Sequence, residues 1–367
     1  MKEVIDIISE FAKRLEEMEN FRKQAGKFLR ELNSSDLQTN KEILEKKVFI
    51  PVAKKSFEKL KVAGVDGGLL KKSLHGIDLI LLRSVGVIFN FSSGNLKESE
   101  YYPNAMPTPV PQFFQDPFSE IEFEISTNIF RQIAEINTAR EVVEKFSPDI
   151  IFLNGSIIPH YTFYSERNSL LFPHLKKLIS SYQALFEAIS KRQTLLAGVI
   201  EDSRGTRFSE IVNSYLASKA DRELASSLKI LLMNSKDTNL LIHALKFPER
   251  TFVFNYSSSP LQHPVLKEFG NFSEEVFTFY LKNTEFDRPL RIDFLGDKDP
   301  IQSANEISSI ILNLTGHSNY AMPSVLIEAD QRAKLSESDL QSILIELMNR
   351  SGNLPSLFEL RRNQRPF

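Results

Sequence analysis

Apolar side chains at Val4, Ile8, Phe11, Leu15, Met18, Ala25, Leu29 and Leu32 alternate steps of four and three, with Arg22 in one seam position. A period of 3.5 predicts one long helix with a narrow apolar stripe, either a coiled-coil seam or the face of an arm packed on its own domain. Asn33-Ser34-Ser35-Asp36 breaks it. The pattern then changes to short continuous apolar runs. Leu60 to Val65, ending in Asp66-Gly67-Gly68, predicts a buried strand closed by a tight turn, and Asp149 to Leu153, ending in Asn154-Gly155-Ser156, predicts a second. Asp78 to Phe91 is a longer strand region, rich in β-branched residues and interrupted at Arg83-Ser84. Five prolines from Pro103 to Pro117 predict an irregular loop.

A 3.6-residue period returns over about 124–146, with Ile125, Ile129, Ile133, Ile136, Val143 and Phe146 on the apolar face. Asn128, Arg131, Gln132, Glu135 and Thr138 fall on the opposite, polar face, and Pro148 stops the helix. Helices are predicted at about 174–191, 206–247, 302–314, 323–334 and 337–350. Strands are predicted at Thr194 to Ile200, Thr251 to Tyr256, Val276 to Leu281 and Leu290 to Leu295. The tail from Arg361 to Phe367 is basic and reads as mobile.

Composition narrows the function classes. The 367 residues include no Cys and no Trp, so disulfides, thiolate metal sites and a cysteine nucleophile are excluded. Acids interrupt the start, and no apolar run reaches the ~18–20 residues of a membrane span, so the expectation is a soluble, cytoplasmic protein without membrane contact. With 45 Lys+Arg against 47 Asp+Glu, any nucleic-acid contact must use local patches. Residues 41–72 offer one: nine lysines, Lys54 and Lys55 among them, against four acids.

Walker A, G-x-G-x-x-G, G-x-S-x-G and H-E-x-x-H patterns are absent, and the six His are scattered. The positive signal is the pair of strand endings. If the two short strands are parallel neighbours, Asp66 and Asn154 lie side by side at the carboxyl edge of the sheet, where open α/β sheets bind ligands. Glu135, on the intervening helix, and Asp330, in a late helix, are further candidate acids. Gathered carboxylates repel one another unless a cation sits between them, and hard oxygen ligands suit Mg²⁺ or Mn²⁺. Such ions can activate water and stabilise the leaving oxygen in phosphodiester hydrolysis. The order strand-acid, further strands, helix-acid, strand-acid, late helix-acid is that of RNase H-like nucleases, with Asn154 at the third position here, so the fold expectation is α/β: an RNase H-like mixed sheet flanked by helices, with an N-terminal helical arm.

The chain resembles the NurA nucleases, which partner a HerA-type hexameric ATPase in DNA end processing. The resemblance rests on Ala63-Gly64-Val65-Asp66-Gly67-Gly68, the helix around Glu135, Ile151 to Ser156, Ala197 to Arg204, Asp237 to Arg250 and Ser324 to Ala333, and covers roughly residues 60–335. It implies an arm at 1–40, a nuclease domain at 55–335, and a C-terminal helix and basic tail at 336–367. It also implies a manganese-dependent DNA nuclease acting in end resection and double-strand break repair, with Mg²⁺ as an alternative ion. Asp66, Glu135, Asn154 and Asp330 would be the catalytic and metal-holding positions. Lys54, Lys55, Arg204 and Tyr320 would contact DNA, and the partners would be DNA, a second copy in a homodimer and the HerA-like ATPase. The exposed seam of the first helix is the candidate for the dimer or ATPase contact.

Two residues depart from the family pattern. Asn154 stands where the family has Asp, and keeps one carbonyl oxygen without the charge that holds a hard ion; Glu201 stands where many relatives have Lys. An exchange introduced deliberately, a naturally weakened site and a misplaced match all account for Asn154. The isosteric character of an Asp→Asn exchange favours the first. The alternative function is therefore a catalytically silent DNA-binding or ATPase-docking subunit that keeps the nuclease fold.

Overall fold

In the computed structural model, residues 2–115, 118–160, 170–218, 235–296, 298–352 and 354–361 are described. The end of the basic tail, from residue 362, and the middle of the helical stretch predicted at 206–247 lie outside them. The chain divides into two compact units: one of residues 1–55, 198–260 and 274–323, the other of residues 56–197, 261–273 and 324–367.

In the second unit, β2 (Lys59–Ser73) and β3 (Asp78–Ser92) form a long antiparallel hairpin paired from Lys59↔Ser92 to Ser73↔Asp78. Two expectations give way here. The first strand does not turn at Asp66-Gly67-Gly68 but runs straight through it, because both glycines serve close packing. Nor does β3 break at Arg83, whose guanidinium finds the carbonyls of Pro107 and Lys334 at 2.8 Å each and stays buried inside a continuous strand. Ser93 (φ 49°) and Gly94 (φ 75°) then make a two-residue hairpin turn into β4 (Asn95–Tyr102), an edge strand kept soluble by Lys97, Glu98 and Glu100. The proline-rich segment is not wholly irregular. Val110–Phe114 forms β5 against β3, and the edge position tolerates Pro111.

The crossover helix α2 (Glu120–Phe146) starts with a capping box of Ser119 and Glu122 and ends at Ser147 in the left-handed region. It returns the chain to β6 (Ile150–Asn154), which lies parallel to β2 with Val62↔Ile150 and Val65↔Leu153 in register. The expected parallel pair is present. Asp149 fixes its start, accepting from the Lys61 backbone N–H at 2.7 Å. Helix α3 (Phe172–Arg192) packs on α2.

Further along the chain, α7 (Ser324–Ala333) lies on β2. A Cβ on Gly64 would stand 3.0 Å from the Val325 carbonyl oxygen, and one on Gly68 would stand 2.0 Å from that of Ala333. Eight helical residues rise ~12 Å and four strand residues span ~13 Å, so helix and strand run alongside each other between these two contacts. Helix α8 (Glu337–Ser351) closes the unit through Leu340 and Leu344 against Leu74, Leu79 and Leu81.

The first unit begins with α1 (Lys2–Leu32). Its C-terminal half is core: Ala25 and Leu29 are buried, and Gly26 allows His243 to approach so closely that a Cβ would meet it at 2.9 Å. The N-terminal half of the stripe, Val4, Ile8, Phe11, Leu15 and Met18, is exposed. Antiparallel strands β1 (Phe49–Pro51), β8 (Glu249–Thr251), β10 (Val276–Lys282) and β11 (Leu290–Leu295) pair in that order, with β9 (Phe254–Asn255) also on β10. Strand β7 (Leu195–Ile200) spans the division between the units. Helices α4 (Arg207–Ser218), α5 (Asp237–Leu241) and α6 (Pro300–Leu314) complete this unit. No described helix is long and apolar enough to cross a membrane.

Candidate functional site

Asp66 lies mid-strand in β2, one residue beyond the last register pair with β6, so Asn154 follows beside it. The Asn154 amide Nδ2 donates to Asp66 Oδ2 at 2.9 Å, and the Gly67 backbone N–H donates to Asp66 Oδ1 at 2.7 Å. Donation from the amide nitrogen is the attractive arrangement beside a carboxylate; the amide oxygen there would repel it. Burial pushes the Asp66 carboxyl above its ordinary range and the charge of Asp330 adds to the push, while Asn154, Gly67 and Arg131 oppose it.

Glu135 is not the solvated residue that its place on the polar face predicts; it is 8% exposed. The reason is that α2 packs on β2 and β3 on one side and on α3 on another, so no residue of its polar stripe is fully exposed. Alternation along β2 puts Gly67 on the α2 face, where a Cβ would stand 2.6 Å from Glu135 Oε1. Only a glycine leaves room for this carboxylate against the strand. Burial pushes Glu135 up to about 8; Asp66 adds to the rise and Arg131 opposes it. Arg131 Nη1 donates to Glu135 Oε1 at 2.6 Å. Sequence reasoning placed Arg131 on the same face without giving it a role, although its i,i+4 spacing to Glu135 is the signal.

Asp330 is exposed on α7, the helix that lies over the Gly64, Asp66 and Gly68 face of β2. The acids thus approach β2 from opposite faces: Glu135 from α2, Asp330 from α7. All four candidate metal-holding residues belong to the second unit. The four candidate DNA contacts all belong to the first unit. Lys54, Lys55 and Arg204 are exposed, and the backbone of Lys55 is held by Ser309 and Asn313. The Tyr320 hydroxyl donates to Glu201 at 3.0 Å. The lysine-rich segment is shared between the units, with Lys47 paired to Asp36, Lys71 to Glu124 and Lys72 to Glu359.

Among the described residues no three His, Asp or Glu side chains already converge on one point as a metal cage. The donor chemistry nonetheless fits one hard cation: Asp66, Glu135 and Asp330 offer carboxylate oxygens, and Asn154 offers a neutral one. In the present arrangement the Asn154 amide nitrogen and Arg131 occupy oxygens that such an ion would use.

The Glu135 shift carries a sign for stability without metal. Its folded value of about 8 lies above the ordinary 4.5, so between these values the native form holds a proton that the unfolded chain has released, and stability falls as pH rises. Glu135→Gln removes that fall. In EDTA, its melting temperature minus that of the parent should be near zero at pH 5 and should grow steadily towards pH 8.5. A difference that is flat with pH would show that Glu135 does not carry this shift.

A family model described as the NurA domain matches residues 60–335. Among solved structures, the NurA nuclease from Sulfolobus solfataricus superposes with a TM-score of 0.59 at 14% identity, covering 95% of this chain and 97% of that one. A NurA structure with manganese gives 0.51 at 11% identity over 96% and 99% of the two chains. A NurA bound to dAMP and manganese gives 0.51 at 12% identity over 96% and 98%. At these identities the likeness is one of fold. No curated protein sequence matches the chain.

Proposed function

Because this chain belongs to the NurA family, we propose that it is a metal-dependent DNA nuclease whose centre is Asp66, Glu135, Asp330 and position 154. The observation that carries the reading is a cross-strand pair: Asn154 hydrogen-bonded to Asp66, with a second buried carboxylate, Glu135, pressed against the next residue. Burying two acids within reach of each other's charge is unfavourable without a cation, and a binding site for one explains why the fold retains them. Other NurA proteins solved with manganese, one of them with dAMP, support Mn²⁺ as the ion and a nucleotide as its neighbour.

When bound, a divalent cation supplies an acidified water and charge stabilisation for the leaving oxygen. The residues of this chain do the holding. Asp66 and Glu135 would present oxygens from a dry, rigid strand and helix, Asp330 would add an exposed charge from α7, and Asn154 would have to turn its amide to offer Oδ1. That turn would give up the hydrogen bond to Asp66 and would bring no charge in return. We therefore read the site as weakened: the chain binds DNA and cleaves it poorly. A silent DNA-binding or ATPase-docking role is the second reading, favoured by the amide that already caps Asp66.

Manganese titration calorimetry in the absence of DNA tests the site. A single weak site lost in Asp66→Ala is expected; binding that survives this substitution would place the ion elsewhere.

DNA end resection in double-strand break repair, with a HerA-like hexameric ATPase, is the role this reading fits. The exposed stripe of α1, free from Val4 to Met18, is our candidate surface for a homodimer or for that ATPase. Phe11→Glu with Leu15→Glu should abolish one of these associations in sedimentation or pull-down measurements while leaving the buried Ala25–Leu29 half folded. Unchanged oligomeric state and unchanged ATPase binding would remove the idea.

A further inference from the structure

The centre described above gathers negative charge, yet the molecule it is read as handling is a polyanion. Arg131 is the basic side chain that bears on both buried acids, opposing the rise in Asp66 and in Glu135. It projects one turn before Glu135 from α2 and keeps 28% of its side-chain surface exposed. Nη1 donates to Glu135 Oε1 at 2.6 Å; among the described residues Nε and Nη2 have no hydrogen-bond acceptor. A guanidinium fork anchored at one tip, partly exposed and unpaired at the other among the described residues, matches the geometry of a phosphate, which it can meet with two parallel N–H bonds.

We propose that Arg131 is the phosphate anchor of this centre, a positioning residue that holds a backbone phosphate of the bound strand beside Asp66 and Glu135. The inference rests on the nuclease reading and adds a residue to it. An ordinary i,i+4 ion pair would neutralise Glu135 and do no more. An anchor also neutralises a phosphate, and that difference is measurable without metal, because a phosphate contact releases counterions.

The experiment is equilibrium binding of a labelled linear duplex in EDTA over a series of salt concentrations. Arg131→Gln should weaken binding about 10-fold at low salt and lower the slope of log affinity against log salt by about one. Arg131→Lys should keep the slope, because the charge remains, while binding less tightly than the parent. Removing Arg131 alone takes the hydrogen-bond partner from the buried Glu135 and can unfold the protein. A second comparison therefore sets Glu135→Gln against Glu135→Gln with Arg131→Gln, where the same loss of about one in slope is expected. Equal slopes in both comparisons would overturn the assignment and leave Arg131 as a helix ion pair, with the nuclease reading intact. A parent chain that does not bind duplex at any salt would instead sink the nuclease reading, and the assignment with it.

Discussion

Asn154→Asp should raise manganese-dependent cleavage of linear duplex by at least ~10²-fold, equivalent to about 2.7 kcal/mol of transition-state stabilisation. The physical reason lies in the pair formed by the end of β6 and the middle of β2. In the present chain the Asn154 amide nitrogen donates to Asp66 and so supplies a small part of what a cation would supply. A carboxylate at 154 cannot donate, and it sets a second charge beside an acid already raised by burial. Without metal the variant should therefore be less stable than the parent by roughly 1–3 kcal/mol, since a buried hydrogen bond is lost and like charges meet. Saturating Mn²⁺ should reverse the order, because tighter binding to the native form raises its stability. Thermal melts with EDTA and with Mn²⁺ read this crossing directly. A variant less stable than the parent under both conditions would mean that position 154 does not hold the ion.

The second large effect is expected at the glycines of β2. A Cβ on Gly68 would lie 2.0 Å from the Ala333 carbonyl oxygen, and backbone cannot swing aside as a side chain can. Gly68→Ala must lift the end of α7 from the strand, at a cost of about 1–3 kcal/mol or more, typical of overpacking, and it displaces the helix that carries Asp330. Gly67→Ala differs in kind. Its Cβ would meet Glu135 Oε1 at 2.6 Å and Cγ at 2.7 Å, the far part of a longer side chain. That side chain can move, so stability should change by less than about 1 kcal/mol while metal affinity falls sharply. Urea unfolding and manganese titration of the two variants should separate these outcomes. Equal loss of stability in both would show that Glu135 is not held against Gly67 as described.

How much of this was legible in the sequence follows from the kind of signal each residue gives. Two continuous apolar runs and the helix between them point to the parallel pair of β2 and β6, and the matching polar endings of the two runs place Asp66 beside Asn154 once the strands are neighbours. The glycines predict a tight turn or a close approach, because the sequence shows that they lack a side chain but not which neighbour comes close. That information sits in Ala333 and Glu135, far along the chain. Glu135 looked solvated because helical periodicity assumes one buried face, whereas α2 is enclosed on several sides. Strand β5 was hidden by Pro111, which an edge position accommodates, and β4 by its charges, although Ser93-Gly94 is a two-residue hairpin signal. Arg131 was visible as a neighbour of Glu135 and lacked a role until the burial of that acid was known.

The central claim is that Asp66 and its neighbours are the catalytic centre of a nuclease. Its most direct test is manganese-dependent cleavage of an end-labelled linear duplex by three proteins: the parent chain, Asn154→Asp, and Asn154→Asp with Asp66→Ala. The account predicts weak activity in the first, a gain of at least ~10² in the second, and loss of that gain in the third with the fold retained. Cleavage by the third protein equal to that of the second would contradict it.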